Sequence, residues 1–184
     1  MEFTDEQKLI VALLTDIHAA LNIQNSVDPV FVQDAVMSGR TWALRWQYPG
    51  IFQGAADTPA DVKFVADVLQ LWQRIEESYA QLGDDDRAEV ETKANPFGTH
   101  VVFPGFDGNG SDGDAYGTAH VLIEQLGRWP GFKGRDLNSH GPMNDSYQRM
   151  LDALHALRKD AMDYYLSADE IAVLLLARAH PDNR

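Results

Sequence analysis

The stretch Thr58 to Gly83, "TPADVKFVADVLQLWQRIEESYAQLG", constrains this chain more than any other. Thr58-Pro59 opens a helix, because proline at the first helical position gives up no hydrogen bond. Phe64, Val68, Leu71, Ile75, Tyr79 and Leu82 then recur at helical spacing. Val65, Leu69 and Trp72 form a second ladder beside the first. Two ladders make an apolar face too wide for one neighbour, so this helix is expected to be packed on more than one side. Gly83 is placed to end it, as glycine does by taking a left-handed cap conformation.

The flanking segments carry further helix signals. Thr4 and Gln7 form a capping box, each side chain satisfying the other residue's free N–H, and Ser167 with Glu170 repeats it near the C-terminus. Leu166 and Ile171 are spaced as the hydrophobic staple of that last helix. Leu9, Ile10, Leu13, Leu14, Ile17 and Leu21 recur at helical spacing in the first. Asp28-Pro29 starts a second helix that runs to Met37, where Gly39 interrupts it. Trp42 and Trp46 lie one turn apart before Pro49-Gly50. The segment 84–96 reads as an acidic surface turn or short helix. Tyr116, Ala119, Leu122, Ile123 and Leu126 predict a helix that Asp112 or Asp114 could cap. The segment 127–144 is a long irregular connection. The segment 145–160 is helical, with Tyr147, Met150, Leu151, Leu154 and Leu157 inward. "THVVF" is the one strand-like run, and one run makes no sheet. The expected fold class is all-α. It is a multihelical single domain over residues 1–184, divisible into subdomains 1–83 and 96–184, with an irregular Gly/Asp-rich loop between helices.

Composition excludes several kinds of chemistry. There is no cysteine, so disulfides, thiol nucleophiles and cysteine-held zinc are ruled out. The acidic, polar start lacks a secretion signal, and no stretch reaches the roughly 20 apolar residues of a membrane helix. A cytoplasmic protein without membrane contact is expected. Acids outnumber Lys and Arg by 28 to 15, a net charge of −13 that disfavours nucleic acid as a partner. Phosphate-loop, G-x-S-x-G and HExxH motifs are absent. No two histidines share an i, i+4 spacing.

The loop "FPGFDGNGSDGDAYGTAH", Phe103 to His120, invites a calcium reading. A calcium loop needs oxygens at its first, third and fifth positions, glycine at the sixth and glutamate at the twelfth. Counted from Asp107, Asn109 and Ser111 fit, but Asp112 and Thr118 take the sixth and twelfth places. Counted from Asp112, Tyr116 and Ile123 fail at the fifth and twelfth. Neither register supplies the bidentate carboxylate. The loop is therefore read as turns and helix caps, with no metal and no cofactor expected.

"FTDEQKLI", "FPGFDGN", Tyr116, "NSHGPMNDSYQRML" and "LSADEI", in that order, resemble the YfbU-like family of bacterial proteins. The resemblance covers most of the chain and is weakest between about residues 22 and 99. It implies a soluble multihelical protein that self-associates, with no established reaction. The expected function is an oligomeric interaction or regulatory protein without classical catalysis, a homodimer by default, its protein partners unknown. A second reading comes from Arg149 and His155. Their R-x5-H spacing is similar to the motif of HEPN-type ribonucleases, where paired helices bring the arginine and histidine of two subunits to one phosphate, the arginine stabilising its charge and the histidine moving a proton without metal. Yet six residues set the two side chains about 120° apart around a helix. Asp145 and Asp152 flank them, as on a solvated face of ion pairs. For the oligomer contact the candidates are Val173, Leu174 and Leu176. They lie in the run Ile171 to Ala177, which holds no polar residue and so puts apolar side chains on every side of its helix. The alternative is that this helix threads its own core beneath the helix from Pro59.

Overall fold

The computed structural model describes residues 2–52, 57–157 and 163–180. Its described residues hold eight α-helices: α1 Asp5–Ala20, α2 Pro29–Met37, α3 Trp42–Gln47, α4 Ala60–Gln81, α5 Asp84–Lys93, α6 Ala115–His120, α7 Asn144–Leu157 and α8 Ala168–Leu176. No strand occurs among them, and the fold is all-α. No helix among the described residues is long and apolar enough to cross a membrane. Residues 158–160, included in the expected span of α7, lie outside the described residues.

Both capping boxes form, at Thr4 and at Ser167. Asp28 caps α2 by accepting from the Val30 and Phe31 N–H groups at 2.9 and 3.3 Å. The staple pair Leu166 and Ile171 is buried. Gly83 departs from expectation. Its φ of −70° is extended, and it is the N-cap of α5 rather than a left-handed end to α4. The acidic segment that follows is itself a helix, so the chain needs only a short extended turn at Leu82–Gly83. Asp84, Asp85 and Asp86 occupy the first turn of α5, where carboxylates favour the positive end of the helix dipole.

The two ladders of α4 make it the central element. Val62, Val65, Val68, Leu69, Leu71, Trp72 and Ile75 are all buried, against α6, α7 and α8. An aromatic cluster sits on this helix. Phe103 lies 5.1 to 6.1 Å, centroid to centroid, from Trp72, Phe106, Phe132 and Tyr147. Those contacts explain why "THVVFPGF" is not a strand. Its aromatic side chains are drawn into a helical core, and its one ladder contact among the described residues is an isolated parallel bridge between Phe106 and Asn138. A smaller cluster of Phe31, Ala35, Val36, Ala43 and Leu44 forms between α2 and α3 and meets Val121. Helix α1 packs against α2. Helix α6 widens into a π turn at Val121–Gln125, where the Leu126 N–H donates to the Val121 carbonyl at 2.9 Å.

Candidate functional site

The Gly/Asp-rich loop is the first place to look for chemistry, and its carboxylates are already engaged. Asp107 is buried at 1 % exposure. One oxygen accepts from the Asn109 backbone N–H and side-chain amide, each at 2.9 Å, and the other from the Ser111 N–H at 3.1 Å. These donors, the Asn109 N–H foremost, hold its carboxyl below the usual range. Asp112 does not cap the helix that follows it. It accepts from the Asn144 N–H at 3.1 Å and from the Met143 N–H, so it closes the start of α7. Asp114 makes no cap bond either. Arg40 donates to both its oxygens, at 2.7 and 2.8 Å. Spacing alone pointed these acids at the next helix, but tertiary partners claim them. Among the described residues no group of three or more His, Asp or Glu is placed to hold a metal.

Upstream of these acids the chain forms a strap. The Phe106 N–H donates to Leu137 O at 2.8 Å, and the Ser139 N–H donates back to Phe106 O at 2.9 Å. Tyr147 donates its hydroxyl to Gly105 O. Glu76 of α4 accepts from the Phe103 N–H at 2.7 Å and pairs with Arg135 at 2.9 Å. Gly105, at φ +87°, leaves no room for a side chain, since a Cβ there would lie 2.1 Å from Leu137 O. The segments "FPGFDGN", "NSHG" and the start of "YQRML" are thus fastened to one another.

Arg149 and His155 have different surroundings in the single chain. Arg149 is half-buried and donates to the Ala177 and Arg178 carbonyls at 3.0 and 2.6 Å and to Ser146 Oγ at 3.1 Å. The expected ion pairs with Asp145 and Asp152 do not form. The open carbonyls at the C-terminal end of α8 lie within reach and take the guanidinium instead. His155 is exposed.

The apolar run in α8 divides. Leu174 is fully buried with Ile171 and Leu175, which removes it from the surface candidates, while Val173 and Leu176 are 45 % and 36 % exposed. Its inner side meets α4, α5 and α7.

A much larger apolar surface lies where periodicity had marked an ordinary amphipathic helix. Leu9, Ile10, Leu13, Leu14, Ile17 and Leu21 are all between 55 % and 67 % exposed, and Ile23 adds a seventh at 48 %. Helix α1 faces α2 with Val11, Thr15 and His18 instead, and the Thr15 hydroxyl is tied to the Val11 and Ala12 carbonyls at 2.8 and 2.9 Å. The helix carries its richer apolar side outward.

Two open hollows, of about 390 and 510 Å³, adjoin at Arg40, Val121 and Gln125. The charged groups between them, Arg40 and Asp114, satisfy each other. The acids of the loop and the arginine of α7 serve packing and helix ends, and the outer side of α1 gathers Leu9, Ile10, Leu13, Leu14 and Ile17, all more than half exposed. A family model described as the YfbU domain matches residues 1–177.

Proposed function

The chain belongs to the YfbU family, and from that premise we propose that it works as a self-associating interaction or regulatory protein rather than through a reaction of its own. The observation that carries this is the outward apolar side of α1. Five leucine and isoleucine side chains of α1, and Leu21 at its C-cap, stand more than half exposed. Contiguous exposed apolar surface of this kind marks interaction sites, because water orders against it at a free-energy cost that a partner relieves. Asp107, Asp112, Asp114 and Arg149 are engaged in the loop turn, helix ends and the Arg40 pair, which supports a structural part for them.

Light scattering at tens of micromolar, with circular dichroism as the folding control, tests this. Wild-type protein should be oligomeric. A Leu13→Asp, Ile17→Asp variant should be folded and smaller, because each aspartate would have to lose its hydration in an apolar contact. A Val173→Asp, Leu176→Asp variant should keep the wild-type size. Monomeric wild type would end the proposal.

A further inference from the structure

We propose that the occupant of the α1 face is the α1 of a second copy, laid antiparallel across it about a two-fold axis that passes between Leu13 and Leu14. This rests on the reading that the protein self-associates, and it adds the surface, the partner element and its direction.

The spacing comes first. Residues 10, 14, 17 and 21 are separated by three or four positions, with Leu13 beside Leu14, the interval at which a helix presents a seam to another helix. All five are more than half exposed. The helix is 16 residues long, about 24 Å at 1.5 Å per residue, so two copies centred between Leu13 and Leu14 overlap over residues 7–20, about 21 Å. The size comes second. Seven aliphatic side chains exposed at 48–67 % present roughly 600 Å² of apolar surface, at the top of what single chains ordinarily show. With flanking atoms this approaches the roughly 800 Å² per partner of a standard interface.

Charge selects the occupant. A helix that lies on an anionic lipid surface carries lysine and arginine on its polar side. Here Lys8 is the one basic residue among Asp5, Glu6 and Asp16, in a chain of net charge −13. A lipid surface would repel it, whereas a second α1 offers an uncharged seam. Charge also selects direction. A parallel pair would set Asp5 and Glu6 beside their own copies. In the antiparallel pair centred between residues 13 and 14, Ile10 faces Ile17, Leu13 faces Leu14, Glu6 faces Leu21 and Asp5 faces Asn22. No like charges then lie opposite, and the helix dipoles oppose. Such an isologous contact closes on itself as a dimer.

The absence of cysteine makes the test direct. Leu14→Cys, Glu6→Cys and Leu21→Cys are made singly and oxidised mildly at a concentration where wild type associates. One member of each mixed pair carries a mass tag. Disulfides need Cα atoms within roughly 7 Å, so only facing positions link readily. Leu14→Cys should link to its own copy at least tenfold faster than Glu6→Cys does. A mixture of Glu6→Cys and Leu21→Cys should give the mixed dimer in preference to either self-linked one. Leu13→Cys should repeat the Leu14→Cys result. Faster self-linking of Glu6→Cys would mean a parallel pair and overturn the inference while leaving self-association standing. Slow linking at every α1 position in a wild type that scatters as an oligomer would place the contact elsewhere, also overturning it. Monomeric wild type would remove the premise as well.

Discussion

Substituting Gly105 by alanine should be among the most damaging small changes in this protein. A Cβ at this position would lie 2.1 Å from Leu137 O and 2.3 Å from Leu137 C, both backbone atoms that cannot swing aside. At φ +87° a side chain is also strained, by roughly 1–2 kcal/mol. To relieve the clash the strap must retreat from residues 137–139. That puts at risk the Phe106-to-Leu137, Ser139-to-Phe106 and Tyr147-to-Gly105 hydrogen bonds. Each contributes about 0.5–1.5 kcal/mol, so with the strain the total loss is about 2.5–6.5 kcal/mol. Gly110→Ala supplies the control. Gly110 has φ +82° but nothing within 4 Å of its Cβ position, so it should lose the strain alone. Urea unfolding at one fixed protomer concentration measures both, with the midpoint falling at unchanged slope. At about 2–4 °C per kcal/mol, melting should fall by about 10 °C for Gly105→Ala and by only a few degrees for Gly110→Ala. Equal effects, within about 1 kcal/mol, would refute the claim that close backbone approach fixes glycine here.

The remaining expectations are smaller. Arg149→Ala should destabilise by about 2 kcal/mol, because it strips donors from the last carbonyls of α8, while His155→Ala should stay within about 0.5 kcal/mol; urea midpoints compare the two. The wild type should not cleave RNA without added metal, and metal-independent cleavage abolished by His155→Ala would revive the ribonuclease reading. Asp107, whose carboxyl is held below its ordinary value, contributes stability that is complete above about pH 4 and is lost only as pH falls through the lowered value. Amide shifts of Asn109 and Ser111 followed by NMR should therefore hold steady from neutral pH down to about 4 and move below it.

Helix positions were legible because caps and ladders are local. Thr4, Asp28 and Ser167 each act within three residues, and the ladders of α4 show directly which residues are buried. What periodicity does not give is the side of a ladder that the rest of the chain covers. Helix α1 has a clear stripe, yet its packing on α2 uses Val11, Thr15 and His18, and the stripe is left outside. The same limit applies to α8, whose uninterrupted run hid that Leu174 points in and Val173 out. Of the two acids expected to cap α6, Asp112 caps α7 instead and Asp114 pairs with Arg40. Asp112 and Asn144 are 32 residues apart, a pairing that only the fold brings together.

That long-range capping bears on how the molecule comes apart. The first turn of α7 is closed by Asp112 from the distant loop, and the last turn of α8 by Arg149 from α7. The start of α8 is anchored in turn, with the Leu166 N–H on the buried Ser78 hydroxyl of α4 at 2.9 Å. The end of α8 thus depends on Arg149 of α7 and the start of α7 on the loop, so the two helix ends lose partners when the elements around them open. Cooperative units of this kind open together. Backbone amides at the N-terminal end of α7 and the C-terminal end of α8, positions that ordinarily exchange with solvent first, should exchange at the slow rate of the helix middles and share one opening free energy.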